Sequence, residues 1–209
     1  MRIVTVVDGQ AEFRSLPHLF RRIESSHQLL NPLYADLQPH APIQRIVRTI
    51  GKKIPILQRK GDAALVLIDR ESRTECPAEL AAQLSAGLAP VCQGSSLQSI
   101  TVIVKDRTYE NWLISDPDTL VALRGRFRVT KKARTSVEPN RADNMDAIPL
   151  LKTFVVGQPY DKVRDAVRVM RVADVKKMAR NSRSFRRLMR VIGHPSYIDQ
   201  SRRPASGRR

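Results

Sequence analysis

Two pairs of carboxylates fall at the ends of apolar runs. Asp8 closes the run Ile3 to Val7, and Glu12 follows it by four residues. Asp69 and Glu71, two residues apart, close the run Ala63 to Ile68. With the first run a strand and a helix starting near Gln10, Asp8 and Glu12 face one crevice. An extended backbone turns Asp69 and Glu71 to one side. In an open parallel sheet, ligands bind outside the carboxyl ends of the strands, where this spacing would gather all four acids. They would repel one another unless a cation lay between them, and a hard divalent ion, Mg²⁺ or Mn²⁺, suits oxygen ligands. Such an ion polarises a phosphodiester, lowers the pKa of a water and steadies a leaving oxygen. The plainer reading makes Asp8-Gly9 a turn, Glu12 a favourable helix N-terminal acid and Asp69 to Arg73 a charged loop.

Lys105 lies just past the apolar run Ile100 to Val104. There it could stabilise a phosphate in a transition state, or simply be a solvated lysine. Trp112, the only tryptophan, reads as core packing ahead of a base-stacking platform. His18, His27, His40 and His194 show no metal-ligand spacing. Cys76 and Cys92 make neither a disulfide framework nor a zinc site, and a reducing cytoplasm suits them. Without a glycine-rich phosphate loop, any ATP hydrolysis would come from a partner.

The charge points to a polyanion. Over 209 residues, 37 Lys and Arg against 20 Asp and Glu leave a net charge of +17. Residues 1–120 hold 14 basic and 13 acidic residues, so residues 121–209 hold 23 basic against 7 acidic, a net of +16. Nucleic acid is the first partner such a field favours. Nine cations fall in 168–190: Arg168, Arg171, Lys176, Lys177, Arg180, Arg183, Arg186, Arg187 and Arg190, against the single acid Asp174. On helices they would neutralise phosphates and bind independently of sequence, or merely solvate a helix face. An anionic membrane surface ranks second. The longest apolar run has six residues, so no membrane span is expected, and the five-residue run Ile3 to Val7 is no secretory signal.

These residues must be positioned by a small set of elements. β-Branched runs at 2–7, 63–68 and 100–104 predict strands. Helical spacing appears over 10–24, with Pro17 as a kink or restart, and over 43–50, broken by Gly51 and Pro55. Residues 29–37 read as a poor strand interrupted by Pro32. A helix opens at Pro77, and a short one spans 109–114. This alternation predicts an α/β fold, a mainly parallel sheet flanked by helices. Residues 124–150 read as a basic loop or linker, 151–198 as a basic helical extension and 199–209 as a disordered basic tail.

Several blocks resemble known motifs. Val7-Asp8-Gly9-Gln10-Ala11-Glu12 resembles the first TOPRIM motif, a strand ending in Val-Glu-Gly with a second Glu four residues on, and Asp69-Arg70-Glu71 resembles the second, Asp-x-Asp. Glu110-x-Trp112-Leu113-x-x-Asp116-Pro117 resembles a block of an uncharacterised bacterial TOPRIM-like family, often encoded beside SMC-like or AAA-type ATPases in phage-defence loci. Tyr160, Lys162, Asp165, Asp174 and Ser182 to Leu188 resemble that family's C-terminal helices. The resemblance implies a TOPRIM-like metal-binding domain over 1–123 and a Mg²⁺- or Mn²⁺-dependent nuclease. In that reading Asp8, Glu12, Asp69 and Glu71 hold the metal and Glu110 is a further acidic contributor. It also implies a phage-defence effector controlled by an ATPase partner, with an oligomer left open. Asp8 stands where Glu is usual and Glu71 where Asp is usual, each displacing a carboxylate by roughly 1.5 Å. The competing expectation is therefore a non-catalytic nucleic-acid-binding or regulatory subunit.

Overall fold

The computed structural model describes residues 1–198. Its strands are β1 (Arg2–Val7), β2 (Gln28–Leu29), β3 (Leu33–Tyr34), β4 (Ala63–Asp69) and β5 (Ser99–Lys105). Its first helices are α1 (Gln10–Phe20), α2 (Ile43–Gly51), α3 (Ile54–Lys60), α4 (Pro77–Cys92), α5 (Glu110–Ile114) and α6 (Pro117–Ala122). They are followed by α7 (Lys131–Val137), a 3₁₀ turn at Ala142–Asn144, α8 (Ala147–Phe154), α9 (Lys162–Met170), α10 (Val175–Asn181) and α11 (Arg183–Val191).

The strand order is β2-β1-β4-β5, with β3 also on β1, and every ladder is parallel. Both sheet faces are covered, which is why β1 and β4 are almost wholly apolar rather than alternating. Val4, Val6, Ala64, Val66, Ile68, Val102 and Val104 face one layer, formed by α2, α3 and α4. Ile3, Val7, Leu65, Leu67 and Ile103 face the other, formed by α1 and the helices beyond β5. That second core also contains Phe127, Leu151, Met170, Met178, Phe185, Leu188 and Ile192. It is therefore continuous across the boundaries drawn from sequence at 123 and 150: the C-terminal helices are the second cover of the sheet. Each large apolar side chain buried there stabilises the fold by about 1.5–3 kcal/mol.

Three local expectations are corrected. Helix α1 runs unbroken through Pro17. Pro55 does not break a helix but sits in the first turn of α3, where a missing N–H is harmless. Residues 124–150 are not one long loop, since Thr130 Oγ1 caps α7 by accepting from the Ala133 amide, and buried Val137 anchors that helix to the core. The capping threonine was the available signal. The described residues contain no helix long and apolar enough to cross a membrane. The expected tail at 199–209 lies outside the described residues.

Candidate functional site

The carboxyl ends of β1, β4 and β5 lie side by side, with Val7 in register with Leu67 and Asp69 with Lys105. Side chains alternate along a strand. Asp69 therefore shares a face with Leu65 and Leu67, and Lys105 shares it with Ile103: the face that α1 covers. Glu12, in the first turn of α1, comes down onto the same spot. Lys105 is fully buried and lies between two carboxylates, in contact with Glu12 Oε1 and 2.9 Å from Asp69 Oδ1. Its ammonium also stands 5.3 Å from the centre of the Tyr109 ring, whose hydroxyl is 2.7 Å from Ser15 Oγ. A Cβ at Gly9 would stand 2.5 Å from Glu12 Oε2, so a side chain there would push on the carboxylate that meets Lys105.

Three acids around one ammonium leave excess negative charge. Burial, opposed by Lys105 and reinforced by Glu12, Glu71 and Asp36, pushes the Asp8 carboxyl up to about 6. Burial pushes Asp69 up to about 8; Lys105 opposes this, and the Glu12 and Asp8 charges add to it. Burial alone would depress Lys105, but the Asp69 and Glu12 carboxylates outweigh it and hold the ammonium above the ordinary lysine range. Asp69 Oδ1 is buried, and the Lys105 ammonium at 2.9 Å is the charge that faces it. Among the described residues, no three His, Cys, Asp or Glu side chains stand ready-made as a metal centre.

The structure thus brings Asp8, Glu12, Asp69 and Lys105 together. Lys105 is not a solvated lysine, since both faces of its strand are covered. Glu71 lies within electrostatic reach of Asp8 but is paired with His40. Its φ of 53° takes it off the extended path from which a shared side with Asp69 was expected. Glu110 is buried at the start of α5 and paired with Lys162 at 3.4 Å, rather than with any member of the Lys105 group. Trp112 is core, donating from Nε1 to Ser184 Oγ at 2.8 Å and packing edge-on against Phe185. Asp36 was missed, because only the placement of β3 beside β1 brings it near Asp8.

The nine basic residues divide. Arg171, Lys176 and Arg180 are exposed. Arg168 pairs with Asp165, Lys177 with Asp118, and Arg183 with Asp106. Half-buried Arg186 donates to the carbonyls of Ala179 and Arg180 and to Asn140 Oδ1. Arg187 and Arg190 are half-buried on α11. A second basic stretch was hidden by the balanced count over the first 120 residues. Residues 43–60 carry six Lys and Arg and no acid. None of those six forms an ion pair among the described residues.

Fold and site together define a class: an α/β protein with a parallel sheet covered on both faces and an acidic cluster around a buried lysine at the carboxyl ends of its strands. The chain matches, over residues 7–192, the family described as a domain of unknown function, DUF4276, and it belongs to that family. No curated protein and no solved structure gives a significant match.

Proposed function

We propose that the protein is a nuclease dependent on Mg²⁺ or Mn²⁺, and that its site is the cluster at the ends of β1, β4 and β5. The observation that carries this reading is the convergence of Asp8, Glu12 and Asp69 on one buried ammonium, with Asp36 and Glu71 adding negative charge nearby. The donor set fits a hard divalent ion in chemistry, since every candidate ligand is a carboxylate oxygen. Asp8 and Asp69, with Glu12 and Glu71, would hold the ion. When bound, it would polarise a phosphodiester and steady the leaving oxygen. Asp8, beside these ligands and without an ion pair to Lys105, would accept a proton from an attacking water. Lys105, fully buried between them, holds Glu12 and Asp69 in place. The exposed cations of α9 and α10 would hold the phosphate backbone. Control by an SMC-like or AAA-type ATPase belongs to the same proposal and rests on the family resemblance.

A second reading has its own support. Lys105 already occupies the space between Glu12 and Asp69, as it would in a non-catalytic nucleic-acid-binding subunit. The test is cleavage of plasmid DNA, single-stranded DNA and total RNA with Mg²⁺ or Mn²⁺ against EDTA, at low salt. Wild type is run beside Asp69→Asn and Asp8→Asn. Metal-dependent cutting lost in both variants supports the nuclease. Salt-sensitive binding without cutting, unchanged by either substitution, favours the binding subunit.

A further inference from the structure

Next to the carboxylate cluster lies a cavity of about 540 Å³, within the ~300–1,000 Å³ typical of small-ligand sites. Asp69 and Glu71 form part of one side of it, and Arg107, Thr108 and Lys162 bring donors to it. Met145, just before α8, and Ala147 and Ile148 in its first turn give it apolar surface on either side of the Asp146 carboxylate. Cations and an apolar surface thus face one space beside the acids. A nucleotide needs that combination: a charge for its phosphate and an apolar surface for its base.

Arg107 is the distinctive member. It forms no ion pair among the described residues, although Arg70 pairs with Asp106 and Lys162 with Glu110 on either side. Its backbone adopts φ 72°, a conformation uncommon for a residue with a side chain, and Glu71 opposite adopts φ 53°. The two are tied by the Glu71 amide, which donates to the Arg107 carbonyl at 2.7 Å. Strain of this kind persists where the surrounding structure imposes it, and it clusters at ligand sites. Here it fixes an uncommitted guanidinium at the rim of the cavity, between the ends of β4 and β5.

We propose that this cavity receives one unpaired nucleotide of a single strand, with its base against Met145 and Ile148 and its phosphate between Arg107 and Lys162. The bases of a duplex, paired and stacked, do not reach a pocket of this size unless one is extruded. The inference rests on the reading of the adjacent carboxylates as the place where a phosphodiester is cut, and it narrows that reading to single-stranded substrate.

The test measures binding alone, in EDTA, so that a failed nuclease reading cannot imitate a failed pocket. Fluorescence anisotropy compares a labelled single-stranded 12-mer, the corresponding blunt duplex and free adenosine 5′-monophosphate as competitor. The single strand is expected to bind about tenfold or more tightly than the duplex, as stacking against a protein surface allows. Arg107→Gly removes the guanidinium at a position whose φ of 72° glycine accepts readily, and a thermal melt run beside each binding curve separates loss of contact from loss of fold. Ile148→Asn interrupts the apolar surface. Each variant is expected to remove most of the preference for the single strand and to leave duplex binding within about twofold. Equal or tighter binding of duplex, equal losses for both oligonucleotides, or tighter binding of the free mononucleotide than of the strand would each overturn the proposal.

Discussion

Asp69 and Lys105 are register partners on the last rung of the β4–β5 ladder, and their side chains form an ion pair of 2.9 Å inside the protein. Glu12 closes the pair from the helix above, so one ammonium serves two buried carboxylates. Removing the cation leaves two uncompensated charges in a covered site. Removing a carboxylate leaves the pair of Lys105 with the other.

Lys105→Met is accordingly expected to destabilise the fold by about 3–5 kcal/mol, the usual cost of removing one partner from a buried pair. Lys105→Met combined with Glu12→Gln and Asp69→Asn is expected to recover much of that loss. Urea unfolding of wild type, the single variant and the triple variant checks this. A neutral single substitution would place the ammonium in solvent.

The stability of the metal-free protein depends on pH with a definite sign. In the unfolded chain Asp8 titrates at the ordinary 3.8, whereas in the folded protein it holds its proton to about 6. Between these values the folded state binds more protons, so stability falls as pH rises and is fully present only below the lower value. The loss is up to about 3 kcal/mol across the window. Asp8→Asn is expected to flatten the slope between about pH 4 and pH 6 in urea titrations. An unchanged slope would mean that Asp8 is solvated.

A chain ending at residue 150 is expected not to fold, because it would strip α9, α10 and α11 from one face of the sheet. Far-ultraviolet circular dichroism and binding of a hydrophobic dye check this. Phe185→Ala, which removes a ring fully buried against Trp112, is expected to cost about 3–5 kcal/mol on its own. A cooperatively folded 1–150 chain would make the C-terminal helices a separate module.

The basic residues are expected to separate into two phenotypes. Substituting Arg171, Lys176 and Arg180, all exposed, with Glu weakens nucleic-acid binding and flattens its salt dependence by about 0.7–0.9 in slope per lost phosphate contact. Arg186→Ala instead lowers thermal stability, because its guanidinium holds the end of α10. Binding isotherms at several salt concentrations beside thermal melts distinguish the two. Loss of binding from Arg186→Ala at unchanged stability would reverse the assignment.

Local pattern in the sequence determined the parallel α/β architecture, the three long strands and the carboxylates that close them. An apolar β-branched run has one stable use, as a strand buried on both faces, and helical spacing reports which side of a helix meets the core. Asp8, Glu12 and Asp69 were legible because their positions at strand ends and in a first helical turn are local facts. The tertiary structure decided the rest. Lys105 looked solvated because a residue just past a strand carries no mark of the helix that will cover it. Asp36 entered the site only through β3 pairing with β1, and Glu110 left it because Lys162, 52 residues on, lies within 3.4 Å. A change of composition at residue 123 suggested an appendage, yet its apolar stripes are the second cover of the sheet. Periodicity records that a face is apolar; strand order and crossover geometry determine which face it meets.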